Sequence, residues 1–509
     1  MITPSKKNFS KLIKDGEIPR VYKEIPYSSP HLVYESFASP NSFLLESVKG
    51  PEKIARYSFI GFDPYLIFKV KNSSVEITTK GRRSISSVAP LSRLKSLVTA
   101  YKQKPIKSLP PFQGGAVGLL SYDFVQYLER LPKTTKDDLK IPDAHFFMID
   151  KLIAFDHKKK KAWIIVCPAA RDTDLGYGYM DVDLEEKYEE AKREIQKISV
   201  RVSECQSSKE NLPPPSPPCQ GGDKGEVQGE DRRAGVSLKH GLSKKQYMDI
   251  VKRTKEYIAA GDIFQANLSL RVSAEIGRTK PWELYKILRS INPSPFAAYI
   301  DFGDYQIVSS SPERLISIRD GIAETRPIAG TRPRGKDRKE DEKMRKELLL
   351  NEKERAEHIM LIDLERNDIG RVCDYGSVHV DELMITEDYS HVIHIVSNVK
   401  GNLADGKTCF DAIKAAFPGG TITGVPKVRC MEIIAELEPV SRGPYTGSIG
   451  YIGFSGNMDL NIIIRTFLIK KGFAYVQAGA GIVADSDPER EYYESLKKAE
   501  ALIKTLERV

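Results

Sequence analysis

One stretch of this chain rules out a single uninterrupted run of regular structure. Residues 203–236 contain Pro213-Pro214-Pro215-Ser216-Pro217-Pro218, then Gly221-Gly222 and a run of mixed charge. Proline lacks the amide donor that a helix interior or a central strand needs. So polar a composition buries too little apolar surface to offset the entropy of ordering it. The stretch is expected to be a flexible linker or exposed loop, with a polyproline ligand for a partner as the other reading. It divides the 509 residues into a segment at 1–200 and a segment at 240–509. A chain this long exceeds one simple core and calls for two lobes or one large compound body.

The first segment is rich in strand signals. Tyr65 to Val70 and Ala162 to Val166 are short β-branched runs, and Gly114 to Gly118 suits a close backbone approach. A charged helix is predicted from Leu184 to Ile198. The second segment alternates. Lys244 to Ala260 carries Tyr247, Ile250, Val251, Thr254 and Ile258 at helical spacing and is closed by Gly261. Ile263 to Val272 reads as a strand and Pro281 to Ile291 as a helix. Phe296 to Phe302 and Tyr305 to Ser309 read as a hairpin. A long charged helix is expected from Arg338 to Leu364, strands at Thr446 to Phe454, Leu460 to Lys470 and Ala474 to Gln477, and a final helix from Pro488 to Glu507.

Composition narrows the function classes. With 78 Lys and Arg against 69 Asp and Glu the net charge is +9, a mild excess that solubility alone accounts for. No concentrated basic stripe points to nucleic acid, and no apolar run reaches the length of a membrane span. The six cysteines form no C-x-x-C pair and no local cluster, which fits a reducing cytosol better than a disulfide framework. The first residues lack the apolar core of a signal peptide, so a cytoplasmic location is expected.

Several clusters can carry chemistry. Glu354 and Glu357 share a helix face, as do Glu491 and Glu494. Two helices presenting carboxylates inward can hold a hard cation such as Mg2+, which takes one or two carboxylates and completes its shell with water and substrate oxygens. Carboxylates on charged helices are also commonly just solvated. Gly419-Gly420-Thr421-Ile422-Thr423-Gly424 precedes a helix through Leu437. Its amides can face an anion, or it is a plain tight turn. Gly479-Ala480-Gly481 follows a strand and offers a second amide-rich turn. Arg465 sits among Ile462, Ile463 and Ile464 and calls for an anionic partner. His394, within Val392 to Val396, is either a satisfied core residue or an acid–base group.

These pieces together resemble the chorismate-utilising enzyme family over nearly the whole chain outside 203–236. The resemblance rests on Pro327 to Arg332, Asn351 to His358, Asp363 to Asp368, Tyr389 to His394, Phe417 to Lys427 and Gln477 to Val483. It implies an α+β fold: two antiparallel β-sheets packed face to face as a sandwich, helices outside and the active site in the cleft. It implies an N-terminal lobe at 1–200 and a chorismate-binding catalytic domain at 240–509 that share one compact body. The family's Mg2+ glutamates fall on Glu357 and Glu494. Its substrate contacts fall on Gly330, Thr331, Thr421, Tyr445, Arg465, Gly479, Ala480 and Gly481. Its histidine near the ring falls on His394, with Glu354 beside the substrate, and either can shuttle the proton that turns hydroxide into a leaving water. A chorismate-binding regulator without turnover would not need the full set of Glu357, Glu494, Arg465 and His394.

The choice of nucleophile also follows from the resemblance. Members that add water carry a Lys base where this chain has Gln265, and an amide cannot serve as that base, so ammonia is expected. Asn267, the stretch Phe417 to Gly424, Thr446 to Gly450 and Met458 to Ile462 resemble the branch that leaves the amino group at C4. Ala329, Phe43 to Ser47 and Arg56 to Gly61 resemble the branch that expels pyruvate. The family's tryptophan pocket maps onto Leu44 to Ser47 and Asn292 to Ala297, with Ala297 where a larger Met is usual. No cysteine has the setting of an amidotransferase nucleophile: Cys205 and Cys219 are placed in the linker, and Cys430 in a helix. Ammonia is therefore expected from a separate glutamine amidotransferase subunit.

Overall fold

The structure, a computed structural model, describes residues 1–14, 19–101, 103–172, 183–210, 237–389 and 392–508. Its frame is two antiparallel sheets. The first, of thirteen strands, runs in the order Ile2–Thr3, Val21–Ile25, Lys161–Val166, Lys151–Asp156, Tyr57–Gly61, Ser42–Glu46, Phe296–Asp301, Gln306–Ser311, Thr466–Lys470, Phe473–Ile482, Gln265–Glu275 and Lys239–His240. The short strand Gly424–Val425 pairs with Gln265–Glu275. The second, of twelve, runs Ile328–Pro333, Val392–Asn402, Ile322–Arg326, Arg314–Arg319, Met458–Asn461, Ser448–Gly453, Gly115–Leu120, Ala144–Ile149, Leu66–Lys71, Ser74–Thr79 and Arg82–Ser86. His379–Asp388 pairs with Val392–Asn402.

Both sheets draw on both halves of the chain. Leu45 pairs with Ala298 in the first, and Gly118 with Gly450 in the second. Glycine suits this last junction, because a Cβ on Gly118 or Gly450 would run into the carbonyl of His145 or Asp459 on the neighbouring strand.

The period-two alternation of strands sorts most of the buried apolar residues into three large cores. Phe43, Phe59, Leu152 and Trp163 of the first sheet meet Val117, Leu119, Phe147 and Ile449 of the second in the layer between them. Their chain neighbours Leu44, Ile60, Ile153 and Ile164 point outward into a core closed by helices. Those helices include Leu184–Glu210, Lys244–Ala259, Pro281–Ile291 and Pro488–Leu506, which contribute Ile195, Val251, Leu288 and Leu502. On the other side Phe68, Ala116 and Phe146 pack under helices Pro90–Thr99, Glu352–Gly370 and Cys409–Ala416 through Leu94, Ile362 and Ile413. The expected sandwich with helices outside is the observed layering. Strands buried on both faces explain why so many read as unbroken apolar runs.

Four expectations need correction. The charged helix does not stop at Ile198 but runs to Glu210. It carries Cys205, read as a linker residue, into a buried position with its thiol on the Leu32 carbonyl at 3.2 Å. Residues 211–236, with the proline tract, lie outside the described residues. The long charged helix is two, Arg338–Leu350 and Glu352–Gly370, broken at Asn351. There an extended backbone lets the Asn351 side chain accept the Glu354 amide at 3.0 Å, an N-cap in mid-run. The strand expected from Leu460 to Lys470 is interrupted between Asn461 and Thr466, with Arg465 at φ 51°. Finally, Gly479-Ala480-Gly481, read as a turn after a strand ending near Gln477, lies inside strand Phe473–Ile482, whereas helix Lys427–Leu437 begins after Pro426 as expected. Among the described residues no helix is long and apolar enough to cross a membrane.

Candidate active site

The interruption at Arg465 opens the site. Thr466–Lys470 pairs with the first part of Phe473–Ile482, up to Val476, and then leaves. From Gln477 to Ile482 that strand keeps only Gln265–Glu275 as a strand neighbour, with Asn267 opposite Gly481 and Ser269 opposite Gly479. An uncovered sheet edge at Gly479, Ala480 and Gly481 results. Ala480 is fully buried in the helix-side core, so it has only backbone to offer a ligand.

Alternation puts Gln265, Asn267 and Ser269 on one face. The Gln265 carboxamide occupies the space a Cβ on Gly481 would need and donates from Nε2 to Glu357 Oε1 at 3.0 Å, tying sheet to helix. Its Oε1 and the Oδ1 of Asn267 are buried with no hydrogen-bond partner.

The second sheet supplies the opposite wall. A bulge in Ile328–Pro333 sets Gly330 at φ 60° and turns its carbonyl to His394 Nδ1 at 3.1 Å, with the Thr331 hydroxyl at 3.0 Å from the same nitrogen. Because a carbonyl only accepts, Nδ1 carries the proton and Nε2 of the neutral ring is left as an acceptor. Nε2 is buried without a partner. Burial, with Arg465 adding to it, pushes the His394 pKa down to about 3, so the ring stays neutral. Glu354 receives Arg332 Nη1 on one oxygen at 2.6 Å, and its other oxygen is buried and unbonded. A Cβ on Gly330 would meet that oxygen at 2.7 Å, so glycine keeps the space in front of it open.

Arg465 is half-buried, and among the described residues its guanidinium makes no ion pair or hydrogen bond. Burial lowers its pKa, and Tyr389 and Glu313 are the groups that oppose this. The anion expected beside it is thus not a committed protein carboxylate.

Glu313, which the sequence did not single out, is 5% exposed and leaves Oε1 unbonded. Burial pushes its pKa up to about 7, against the pull of Thr421, the Ile328 amide, Arg465 and Lys498. Beside Arg314 in the sequence it looks like half of an ion pair. Arg314 instead pairs bidentately with Asp459 at 2.9 and 3.0 Å, which leaves Glu313 free. Thr421 Oγ1 is also buried and unbonded.

On the last helix Glu494 is exposed and pairs with Lys498 at 2.9 Å, and Lys498 donates to the Gly479 carbonyl at 3.0 Å. Glu357 thus reaches the open edge through Gln265 at Gly481, and Glu494 through Lys498 at Gly479. No group of three or more His, Cys, Asp or Glu side chains is poised to hold a metal among the described residues. One carboxylate from each of two helices beside strand Phe473–Ile482, with unfilled oxygen acceptors on Gln265 and Asn267, is a donor set that would suit a hard cation keeping water and taking oxygens from a substrate, as Mg2+ does.

Tyr445 lines a small cavity with Arg271, Arg442, Thr466, Tyr475 and Gln477. A larger cavity between the sheets is lined by Leu45, Ser47, Phe296, Ala297, Tyr451 and Asp459, and none of the expected catalytic, substrate-binding or metal residues reaches it.

Comparison with known proteins agrees in one direction. Residues 40–504 match the family described as chorismate binding enzyme. The chain is 42% identical to anthranilate synthase component 1 of Acetivibrio thermocellus, over 100% of this chain and 99% of that one. It is 41% identical to aminodeoxychorismate synthase component 1 of Bacillus subtilis (strain 168), over 95% and 96%. Anthranilate synthase component I from Streptococcus pneumoniae TIGR4 superposes with a TM-score of 0.72 at 35% identity, covering 88% of this chain and 92% of that one.

Proposed function

The chain belongs to the chorismate-binding enzyme family and is a chorismate-utilising enzyme of the anthranilate or aminodeoxychorismate synthase component I type. From that premise we propose that it is the synthase component of aminodeoxychorismate synthase, adding ammonia to chorismate to give 4-amino-4-deoxychorismate. Relatives of both names stand at nearly equal identity, 42% and 41%, so the overall likeness does not choose between the products. The observation that carries the choice is Asn267, 9% exposed with its Oδ1 unbonded. A buried carbonyl acceptor next to Gly479 suits an amino group that stays on the ring, because an N–H then satisfies it.

In this reading Arg465 binds one carboxylate of the dianionic substrate, helped by the open edge at Gly479 to Gly481. Gly330, Thr331, Thr421 and Tyr445 fix the ring and side chain. Glu357 and Glu494 hold Mg2+, which when bound supplies Lewis-acid withdrawal of charge from the substrate. Glu313, protonated below pH about 7, gives its proton to the departing C4 hydroxyl so that water leaves. This moves the proton carrier from His394 to Glu313 and leaves Glu354 beside the substrate. A ring held neutral down to about pH 3 has no proton to spare, and His394 Nε2 instead accepts from a substrate hydroxyl. Gln265 cannot deprotonate water, which leaves ammonia as nucleophile, and its orphaned Oε1 accepts one ammonia N–H. We assign the ammonia supply to a separate glutamine amidotransferase subunit and the enzyme to the cytosol.

Anthranilate synthesis is the second reading. Ala329, 9% exposed, offers no amine where a covalent route would need one, and the segment Ser42–Glu46 lines the inter-sheet cavity as in the resemblance to that branch. The testing experiment is chorismate consumption by the purified chain with ammonium and Mg2+. Consumption that needs both supports an aminating synthase, and consumption without ammonium would replace amination by addition of water.

A further inference from the structure

Arg442 is 2% exposed, and every N–H of its guanidinium is used. Nε and Nη2 donate to the two oxygens of Glu438 at 2.9 and 2.7 Å. Nη2 also donates to the Asn267 carbonyl at 2.6 Å. Nη1 donates to the Ile422 carbonyl at 3.0 Å and the Thr446 hydroxyl at 3.3 Å. The group lies over the rings of Tyr122 and Tyr445, at 4.9 and 5.6 Å from their centroids. Glu438 Oε1 extends the network by accepting the Ser269 amide and hydroxyl at 2.9 and 2.8 Å, and Gln477 Nε2 donates to that hydroxyl at 2.8 Å.

The segments joined this way are the ones that carry the site. Asn267 lies two residues from Gln265 on the same face. Ile422 follows Thr421, Thr446 follows Tyr445, and Gln477 lies two residues before Gly479. Three of these segments are turns or strand ends far apart in the chain, and the guanidinium is bonded directly to each of the first three. We propose that Arg442, held by Glu438, is the positioning residue that sets Asn267, Thr421, Tyr445 and, through Ser269 and Gln477, Gly479 in register for the reacting substrate. This rests on the proposed chorismate chemistry, because positioning is meaningful only for those substrate contacts. A fork of five donors can do this and an ammonium cannot: lysine offers three donors from one nitrogen and leaves carbonyls of the network unpaired. Misplacing reacting groups by about 1 Å costs on the order of a hundredfold in rate.

The test is Arg442→Lys in the full chain, assayed at least about 20 °C below its melting temperature, with wild-type chorismate consumption as the control. The wild-type rate tests the reading of function, and the ratio of variant to wild type tests the hub. The expected result is a kcat at least a hundredfold lower, with the Mg2+ activation constant unchanged within twofold because neither Glu357 nor Glu494 is bonded to Arg442, Glu438, Ser269 or Gln477. A folded variant with a lowered melting temperature but wild-type kcat would make Arg442 a structural residue only and overturn the proposal. If Arg442→Lys does not fold, Ser269→Ala decides. It leaves all five guanidinium bonds and the Ser269 amide bond to Glu438 in place, and removes only the hydroxyl that links Glu438 to Gln477. A tenfold loss of kcat with a near-native melting temperature supports the network, and an unchanged kcat overturns it.

Discussion

Replacing Glu313 by glutamine should make the protein less active and more stable at once. The carboxyl is 5% exposed and holds its proton to a pH of about 7, against an ordinary value of 4.5. Each unit of such a shift corresponds to about 1.36 kcal/mol. Between pH 4.5 and 7 the unfolded chain releases this proton while the folded chain keeps it, so stability falls as pH rises through that window. At pH 8 the full penalty, at most about 3 kcal/mol, is present, whereas at pH 5 little of it is. Glutamine has the same shape, never ionises and cannot deliver an acid proton. The Glu313→Gln variant should therefore exceed wild type in unfolding free energy at pH 8 by about 2 kcal/mol more than at pH 5. Its kcat should drop by about 10²- to 10⁴-fold. The wild-type rate should decline above pH about 7 as Glu313 ionises, and that alkaline limb should vanish in the variant. Chorismate loss followed by absorbance and urea unfolding at the two pH values read both effects. A variant with wild-type turnover, or with the same pH dependence of stability as wild type, would refute the assignment of Glu313 as the buried acid.

Glu357→Gln and Glu494→Gln should each abolish turnover with the melting temperature nearly unchanged, since Glu494 is exposed and Glu357 only partly buried; near-native rates for both at limiting Mg2+ would remove them as the metal pair. Arg465→Met should raise the KM for chorismate by about 30- to 150-fold, the equivalent of about 2–3 kcal/mol for a lost charge-assisted bond, and an unchanged KM would place the carboxylate elsewhere. The five described cysteines are all buried as free thiols, so the purified chain given glutamine, chorismate and Mg2+ should release no glutamate, and sustained release would reveal an amidotransferase site. Tryptophan should inhibit weakly, because Ala297 leaves the inter-sheet cavity without the bulk an indole would pack on; inhibition at micromolar tryptophan would reverse this and favour the anthranilate reading.

Much of the second segment was legible from local signals. Helix Pro281–Ile291 begins at its proline and ends where expected, and the hairpin Phe296–Asp301 with Gln306–Ser311 follows from alternation around Gly303-Asp304. Local signals failed where a single residue changed course. Asn351 caps a new helix directly after Leu348-Leu349-Leu350 with no Gly or Pro to mark the break, and Arg465 leaves the sheet at the end of a run of isoleucines. The sheet order was not legible, because pairing such as Leu45 with Ala298 joins residues far apart in the chain. The same distance hid Glu313: its release depends on Asp459 claiming Arg314, and nothing near Glu313 announces that. It also hid Arg442, whose partners beyond the nearby Glu438 and Thr446 are carbonyls of segments that meet it only in the fold. The glutamates, Arg465, His394 and the glycine-rich segments stood out in the sequence by spacing and setting, their roles came from family resemblance, and the structure adds which of the site's polar atoms lack partners.

The central claim is that ammonia ends on C4 with the enolpyruvyl ether kept. Product analysis tests it most directly: the chain is incubated with chorismate, ammonium and Mg2+, and the mixture is separated and read by mass and by fluorescence. The account predicts that 4-amino-4-deoxychorismate accumulates in step with chorismate loss and that no pyruvate appears. Pyruvate released in equal amount with fluorescent anthranilate would contradict it.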